Sequence, residues 1–325
     1  MREMGRRVLC AQDLFLKSVA TLFRENNMRL AVITFPHSVD VHKGADAGPD
    51  ALLKAGLMDR LRAEGREVVG PFQVELTAYE EAAYGAWNRI GFANARLAQS
   101  ISEAMGAQAF PLLLESNCYA AIGALAGLRM SANSPLRLGM VWIDAHGDCN
   151  TPETTLSGML SGMPVAIATG LCLRRFREQA GLDSPIDARD VVMVCVRAND
   201  PLEQELIDRS GMDIVPVSDV KGDCRQLDAA MKRLSGDADL IYVHFDIDAL
   251  DRSELALTRL AEPDGPTRAE LAAAVKRIMK FPKIGAFGIA DINPERDVDG
   301  KIVQSAITVI RGAVEGLSLA RGAAV

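Results

Sequence analysis

Two short stretches of the chain place metal-ligand residue types at strand spacing. In Val141-Trp142-Ile143-Asp144-Ala145-His146-Gly147-Asp148 an apolar run leads into Asp144, His146 and Asp148 at positions i, i+2 and i+4. In Ile241-Tyr242-Val243-His244-Phe245-Asp246-Ile247-Asp248 a second apolar run ends on Asp246 and Asp248 at i and i+2. On an extended backbone, alternate side chains point the same way. Four aspartates and one histidine gathered like this repel one another unless cations lie between them. An oxygen-rich donor set with some imidazole suits Mn²⁺ or a similar divalent ion, and two ions sharing bridging carboxylates follow naturally. On spacing alone, each stretch also reads as a solvated acidic turn at a strand end. Together they are much harder to dismiss. His244, two residues before Asp246 on the same strand face, is read as a packed core histidine or as a hydrogen-bond partner of a metal-bound carboxylate. Cys149 points away from its neighbours Asp148 and Asn150 and is assigned to packing.

Such residues converge only if the strands that carry them end side by side. Short β-branched runs alternate with longer segments of helical period, the pattern of βα units around a parallel sheet. Strands are predicted over 30–34, 110–114, 138–143, 191–196, 240–245 and 284–289. They are apolar without alternation, as in a sheet covered by helices on both faces. Helices are predicted over 49–61, 80–105, 203–209, 224–234, 267–279 and 304–317, several opened by residues such as Pro49 and Thr267. Both acidic motifs then fall at strand C-terminal ends, where open α/β sheets bind ligands. No repeat, low-complexity tract or long linker divides the chain, so one domain is expected over 29–325, with 1–28 an appended segment of unassigned role.

The 325 residues are 49% apolar, 5% aromatic and 24% charged, which fits an ordinary globular α/β protein. A net charge of −7 argues against a nucleic-acid partner, because phosphate backbones are held by clustered cations. Six widely spaced cysteines and an opening without an apolar export segment point away from a disulfide scaffold and toward a cytoplasmic location. The apolar stretches 109–114 and 120–128 are separated by Glu115, Ser116 and Asn117 and are too short to cross a bilayer, so no membrane span is expected.

From about Arg29 to Leu317 the sequence resembles the arginase/agmatinase superfamily of ureohydrolases. Asp144-Ala145-His146-Gly147-Asp148 is similar to its DAHxD motif, and Phe245-Asp246-Ile247-Asp248 to its FDxD motif. Gly44-Ala45-Asp46-Ala47-Gly48-Pro49-Asp50-Ala51-Leu52 resembles its N-terminal glycine-proline turn. Asn150-Thr151-Pro152, with Thr154, Thr155, Ser157 and Gly158, resembles the arginase form of the substrate loop, and 197–203 and Asp291-Ile292-Asn293-Pro294 also find counterparts. The resemblance implies a single-domain three-layer αβα sandwich with about eight parallel strands. It also implies two metal ions bridged by Asp144 and Asp246, with Asp148 completing one site and His146 with Asp248 the other. By the same resemblance the ions would activate water toward a guanidinium carbon, and Asp148 would carry a proton to the leaving nitrogen. Asn150 and Ser157 match residues that hold the substrate α-carboxylate, and Asp200 and Glu203 match those around the α-amino group. A homo-oligomer, trimer or hexamer, is implied as well.

Three departures stand out. Where the family has a glycine-glycine-aspartate-histidine run, this chain reads Glu115-Ser116-Asn117-Cys118, which places Cys118 on the first histidine ligand. A thiolate is softer than imidazole and shifts preference from Mn²⁺ toward Zn²⁺, Fe²⁺ or Co²⁺. Ser161 stands where arginases carry a proton-shuttling histidine, and serine does not titrate near neutral pH. Asp291 stands for the glutamate that meets the guanidinium, and the loop over 252–264 lacks the family's Thr-Gly-Thr-Pro. The five intact ligands favour a binuclear amidinohydrolase acting on an arginine-like amino acid, and Ser161 and Asp291 put N-hydroxyarginine first, arginine next, and other guanidino or formimino compounds after them, while the three departures argue for a protein without catalysis. A non-catalytic metal- or amino-acid-binding protein is the alternative from another class.

Overall fold

The computed structural model describes residues 29–39, 44–132, 135–255 and 261–322, with side chains to 320. The strands are β1 (Arg29–Phe35), β2 (Glu67–Gln73), β3 (Ala109–Glu115), β4 (Leu138–Ile143), β5 (Val191–Val194), β6 (Asp213–Val215), β7 (Leu240–Asp246) and β8 (Ile284–Ala290). They form one eight-stranded sheet in the order β2-β1-β3-β8-β7-β4-β5-β6, and every pairing is parallel. The longer helices are α1 (Gly48–Lys54), α2 (Leu57–Ala63), α3 (Ala86–Gly106), α4 (Ala120–Met130), α5 (Pro201–Ser210), α6 (Arg225–Asp237), α7 (Arg268–Ile278) and α8 (Lys301–Gly322).

Alternate strand residues feed two cores, as a pleated sheet buried on both sides requires. Leu30, Val32, Leu112, Val141, Ile143 and Val243 pack under α1, α2, α6, α7 and α8. Ala31, Ile33, Leu113, Met140, Trp142 and Tyr242 pack under α3 and α4. The result is the three-layer αβα sandwich expected. Residues 1–28 lie outside the described residues, as does 256–260 of the loop without Thr-Gly-Thr-Pro.

The six anticipated strands are present with ends shifted by at most two residues. Of the remaining two, β2 carries Gly70-Pro71 and β6 is three residues long, and both are sheet edges. The helix anticipated over 49–61 is two helices, because Gly56 at φ 78° breaks it. The one anticipated over 80–105 is a short helix, Ala78–Glu81, followed after Gly85 at φ 89° by α3 from Ala86. Helix α4 is buried along its length from Ala120 to Leu128, so it has no polar face to give a helical period. The window Lys301–Ala320 of α8 is long and apolar enough to cross a bilayer by length and composition alone. It is 67% buried, and Ile302, Ala306, Ile310 and Ala313 share the core with Leu271, Val275 and Ile278 of α7, so its apolarity serves packing. Cys118, Cys149, Cys172, Cys195 and Cys224 are free thiols.

Candidate metal centre

The sheet's connectivity brings β3, β8, β7 and β4 together, and their C-terminal ends carry the acidic motifs. Residues 142 and 244 are paired across β4 and β7, as are 143 and 245, so Asp144 and Asp246 emerge side by side. Their backbones turn at once. The Asp246 carboxylate accepts from the Asp248 amide at 2.8 Å, and that of Asp144 accepts from the His146 amide at 2.7 Å. Asp248 reaches back to the Ala145 amide at 3.2 Å, tying the two strand ends to each other. Asp148 and Asp291 stand at φ 46° and 60°, left-handed conformations that aspartate tolerates better than most residues.

Three overlapping donor sets result, in each of which the ligand atoms lie within 4.8 Å of one another. One joins Cys118, Asp144, His244 and Asp246, one Asp144, His146 and Asp248, and one Asp246, Asp248 and Asp291. Asp144, Asp246 and Asp248 each belong to two sets, as bridging carboxylates would. Cys118 turns its sulfur inward to 2.9 Å from Asp246 Oδ2, and His146 Nδ1 lies 3.0 Å from Asp248 Oδ2. The cavity between them, about 30 Å³, is lined by Asn117, Cys118, Asp144, His146, Asp148, Ser161, Asp246, Asp248 and Asp291. At about 10–15 Å³ for one water-sized occupant, it has room for two. Asp148 lines this cavity without joining a set.

The electrostatics ask for positive charge. Burial, then the Asp248 charge, pushes the Asp144 carboxyl up to about 7. Burial and neighbouring carboxylates raise Asp148 and Asp246 well above the usual range, and burial with the Asp246, Asp148, Asp144 and Asp291 charges does the same to the Cys118 thiol. Burial also penalises charge on His146 and Asp248, yet their mutual attraction outweighs it, raising the imidazole and lowering the carboxyl. One imidazolium does not balance so many carboxylates. Hard oxygen donors with a thiol and imidazoles around a two-occupant cavity fit two divalent ions.

The residues matched to the amino-acid end of a substrate lie beside the cavity on the loop after β4 and the start of α5. Asn150 donates to Asp200 Oδ2 at 3.2 Å and accepts from Thr154 at 2.8 Å. Ser157 is exposed, its hydroxyl accepting from the Met159 amide at 3.2 Å. Glu203 is buried and takes the Cys149 amide at 2.8 Å and the Asp200 amide at 3.1 Å, so both its oxygens position the loop. Two residues were not singled out from sequence. Arg197 donates to the carbonyls of Cys195, Asp248, Ala249, Leu250, Glu262 and Pro263 and ties three loops together at the site's edge. Gly48 lies so close to the Asp291 loop that a Cβ on it would be 2.2 Å from the Ile292 carbonyl oxygen. The first opened the stretch 197–203, which the family resemblance marked only as a whole. The second lay in a motif noticed for its shape alone.

A parallel sheet covered on both faces, with an acid-rich cluster at its C-terminal edge, makes this an α/β protein with a candidate metal centre. The Arginase family model matches residues 28–315, and the chain belongs to that family. It is 32% identical over 232 residues to an arginase from Brevibacillus brevis, covering 69% of this chain and 77% of the relative. A crystal structure of arginase from Bacillus subtilis superposes with a TM-score of 0.78 at 26% identity, covering 89% of this chain and 98% of that one. Formimidoylglutamase from the same species shares the fold, with a TM-score of 0.71 at 17% identity over 98% of this chain and 96% of that one. The family's hydrolases act on amidino bonds, and this chain is one of them.

Proposed function

We propose that the chain hydrolyses the guanidino carbon of an arginine-like amino acid at a two-ion centre, with N-hydroxyarginine preferred to arginine. The observation that carries this is one cavity, partly open to solvent, in which Cys118, Asp144, His146, Asp148, Asp246, Asp248, Ser161 and Asp291 meet. Asp144 and Asp246 would bridge the ions, Cys118 and Asp148 would complete one site, and His146 and Asp248 the other. Mn²⁺ is the family's ion, and the Cys118 thiolate widens the choice to Zn²⁺, Fe²⁺ or Co²⁺. When bound, such ions lower the pKa of water and offset the negative charge that develops at the attacked carbon.

The chain's own groups do the rest. Asp291, on the cavity wall, accepts the guanidinium N–H groups and fixes the carbon. Asp148 takes a proton released in the attack and returns it to the departing nitrogen. Ser161 can pass a proton along but cannot store one near neutral pH, which handicaps release of a strongly basic amine. An N-hydroxyguanidine is less basic and one atom larger, so it eases the proton demand and fills space left by the shorter Asp291. The Asn150–Asp200 pair and Ser157 would select the free α-amino acid over agmatine, because polar groups left unpaired penalise a substrate lacking the carboxylate. A cytoplasmic homo-oligomer, trimer or hexamer, completes the reading.

Metal-loaded protein is assayed for urea or hydroxyurea release from N-hydroxyarginine, arginine and agmatine, with formiminoglutamate followed by ammonia or formamide release. The expected kcat/KM order is N-hydroxyarginine, arginine, agmatine. Agmatine or formiminoglutamate hydrolysed best would refute it.

A further inference from the structure

His244 is fully buried on β7, and its two ring nitrogens have unlike surroundings. Nδ1 lies 3.1 Å from the Tyr242 hydroxyl and 3.3 Å from Glu115 Oε2. The Tyr242 hydroxyl donates its own proton to Glu115 Oε1 at 2.8 Å, so toward the imidazole it offers only a lone pair. The tautomer that satisfies this network has its proton on Nδ1 and a lone pair on Nε2. Nε2 is buried and has no hydrogen-bond partner. A buried lone pair without a donor costs free energy, and a cation removes that cost. A carboxylate or hydroxyl behind one ring nitrogen, with an ion at the other, is how metal-binding histidines are held.

The surroundings fix this ring with some care. Trp142, its register partner on β4, stacks on it with centroids 4.0 Å apart and planes 16° from parallel. On the other side its register partner on β8 is Gly288. A Cβ there would lie 2.3 Å from the Tyr242 hydroxyl and 2.5 Å from Glu115 Oε1, so only glycine lets β3 and β7 join hands across the strand between them. Above the ring, one His244 nitrogen is within 4.8 Å of Cys118 Sγ and of a carboxylate oxygen from each of Asp144 and Asp246. Donors bonded to one ion at about 2.0–2.3 Å can be no more than about 4.6 Å apart, so this spacing needs only slight closure.

We propose that His244 is itself a metal ligand, its Nε2 restoring, from the strand below, the imidazole that Cys118 removes from the first ion site. This rests on the two-ion reading and adds a donor to it. Tyr242, whose hydroxyl accepts the Nδ1 proton and aims the ring, is a positioning residue, and Glu115 holds that hydroxyl in place.

The test is proton NMR of the Co²⁺-loaded full chain, where each ligating imidazole gives one strongly shifted exchangeable N–H resonance, read with metal analysis after dialysis. Two such resonances are expected in the wild type, from His146 and His244, with two ions bound. His244→Gln should keep one resonance and release one ion about tenfold or more readily. Tyr242→Phe should keep both ions but speed solvent exchange of one resonance. One shifted N–H in the two-ion wild type overturns the proposal and leaves the two-ion reading standing. A wild type that takes up no Co²⁺ overturns both. Because the wild-type count decides, a variant that fails to fold does not rescue the idea.

Discussion

Cys118 stands where two kinds of demand meet. It is 4% exposed among apolar neighbours, yet its sulfur is 2.9 Å from Asp246 Oδ2. As a small packing residue it would sit as well with its sulfur turned toward its apolar neighbours, whereas here the thiol, its pKa raised by burial and then by the carboxylates, donates to Asp246. A ligand role explains the orientation. Cys118→His should therefore keep both ions and shift preference toward Mn²⁺ over Zn²⁺, on the order of tenfold. Competitive metal loading with mass-spectrometric detection measures this, and a lower Tm with unchanged preference would support packing instead. Asp291 gives a second test at this scale. Its φ of 60° suits asparagine equally, so Asp291→Asn should fold normally. Without the charge opposite the guanidinium, kcat/KM should fall on the order of a hundredfold, while dialysis leaves the ion count nearly intact. Ser161→His should raise activity on arginine more than on N-hydroxyarginine; no gain on arginine would mean proton transfer is not what the serine limits.

At the level of elements, the site is a set of strand ends braced by turns. The contact between Gly48, at the start of α1, and the Ile292 carbonyl locks the Asp291 loop from outside. Gly48→Ala would drive a Cβ into that oxygen, and overpacking of this kind costs about 1–3 kcal/mol. The expected result is a lower Tm and a reduced kcat/KM, with the ion count retained because β4 and β7 are not disturbed. Loss of an ion would show that the Asp291 loop also anchors the metals. The elements that carry this site were legible because they are short apolar runs and three of them, β4, β7 and β8, end at aspartates, as Leu138–Ile143 leads into Asp144. The rest escaped for physical reasons. Strand β6 is too short to carry a pattern, and α4 is apolar on every side. Likewise the donor types at 118, 144, 146, 246 and 248 could be read from spacing and motif. The free Nε2 of His244 could not, since it depends on Glu115 from a strand two places away across β8.

The whole molecule pays for its cluster in stability when ions are withheld, and pH exposes that cost. The Asp144 carboxyl, raised from 3.8 to about 7 by burial and then Asp248, holds a proton in the folded state that the unfolded chain has released. Across that window the folded state binds more protons, so stability falls as pH rises. Asp148 and Asp246 are raised and act in the same direction. His146 adds to it, because the folded imidazolium keeps its proton above 6.5, where the unfolded one loses it. Asp248, lowered from 3.8, would add stability with rising pH only below that value. Bound dications replace those protons. The metal-loaded protein should hold its Tm from pH 5 to 8, while the chelated protein loses Tm steadily across the same range. The gap between them should widen with pH, since each ion at a hundred times its Kd adds about 2.7 kcal/mol and the cost of displacing the carboxyl protons falls as pH rises. Thermal melts of both forms at each pH, at constant ionic strength, read the difference directly. Parallel curves would mean that the carboxylates are ionised and satisfied without ions, and the cluster would then not be the metal centre that its geometry describes.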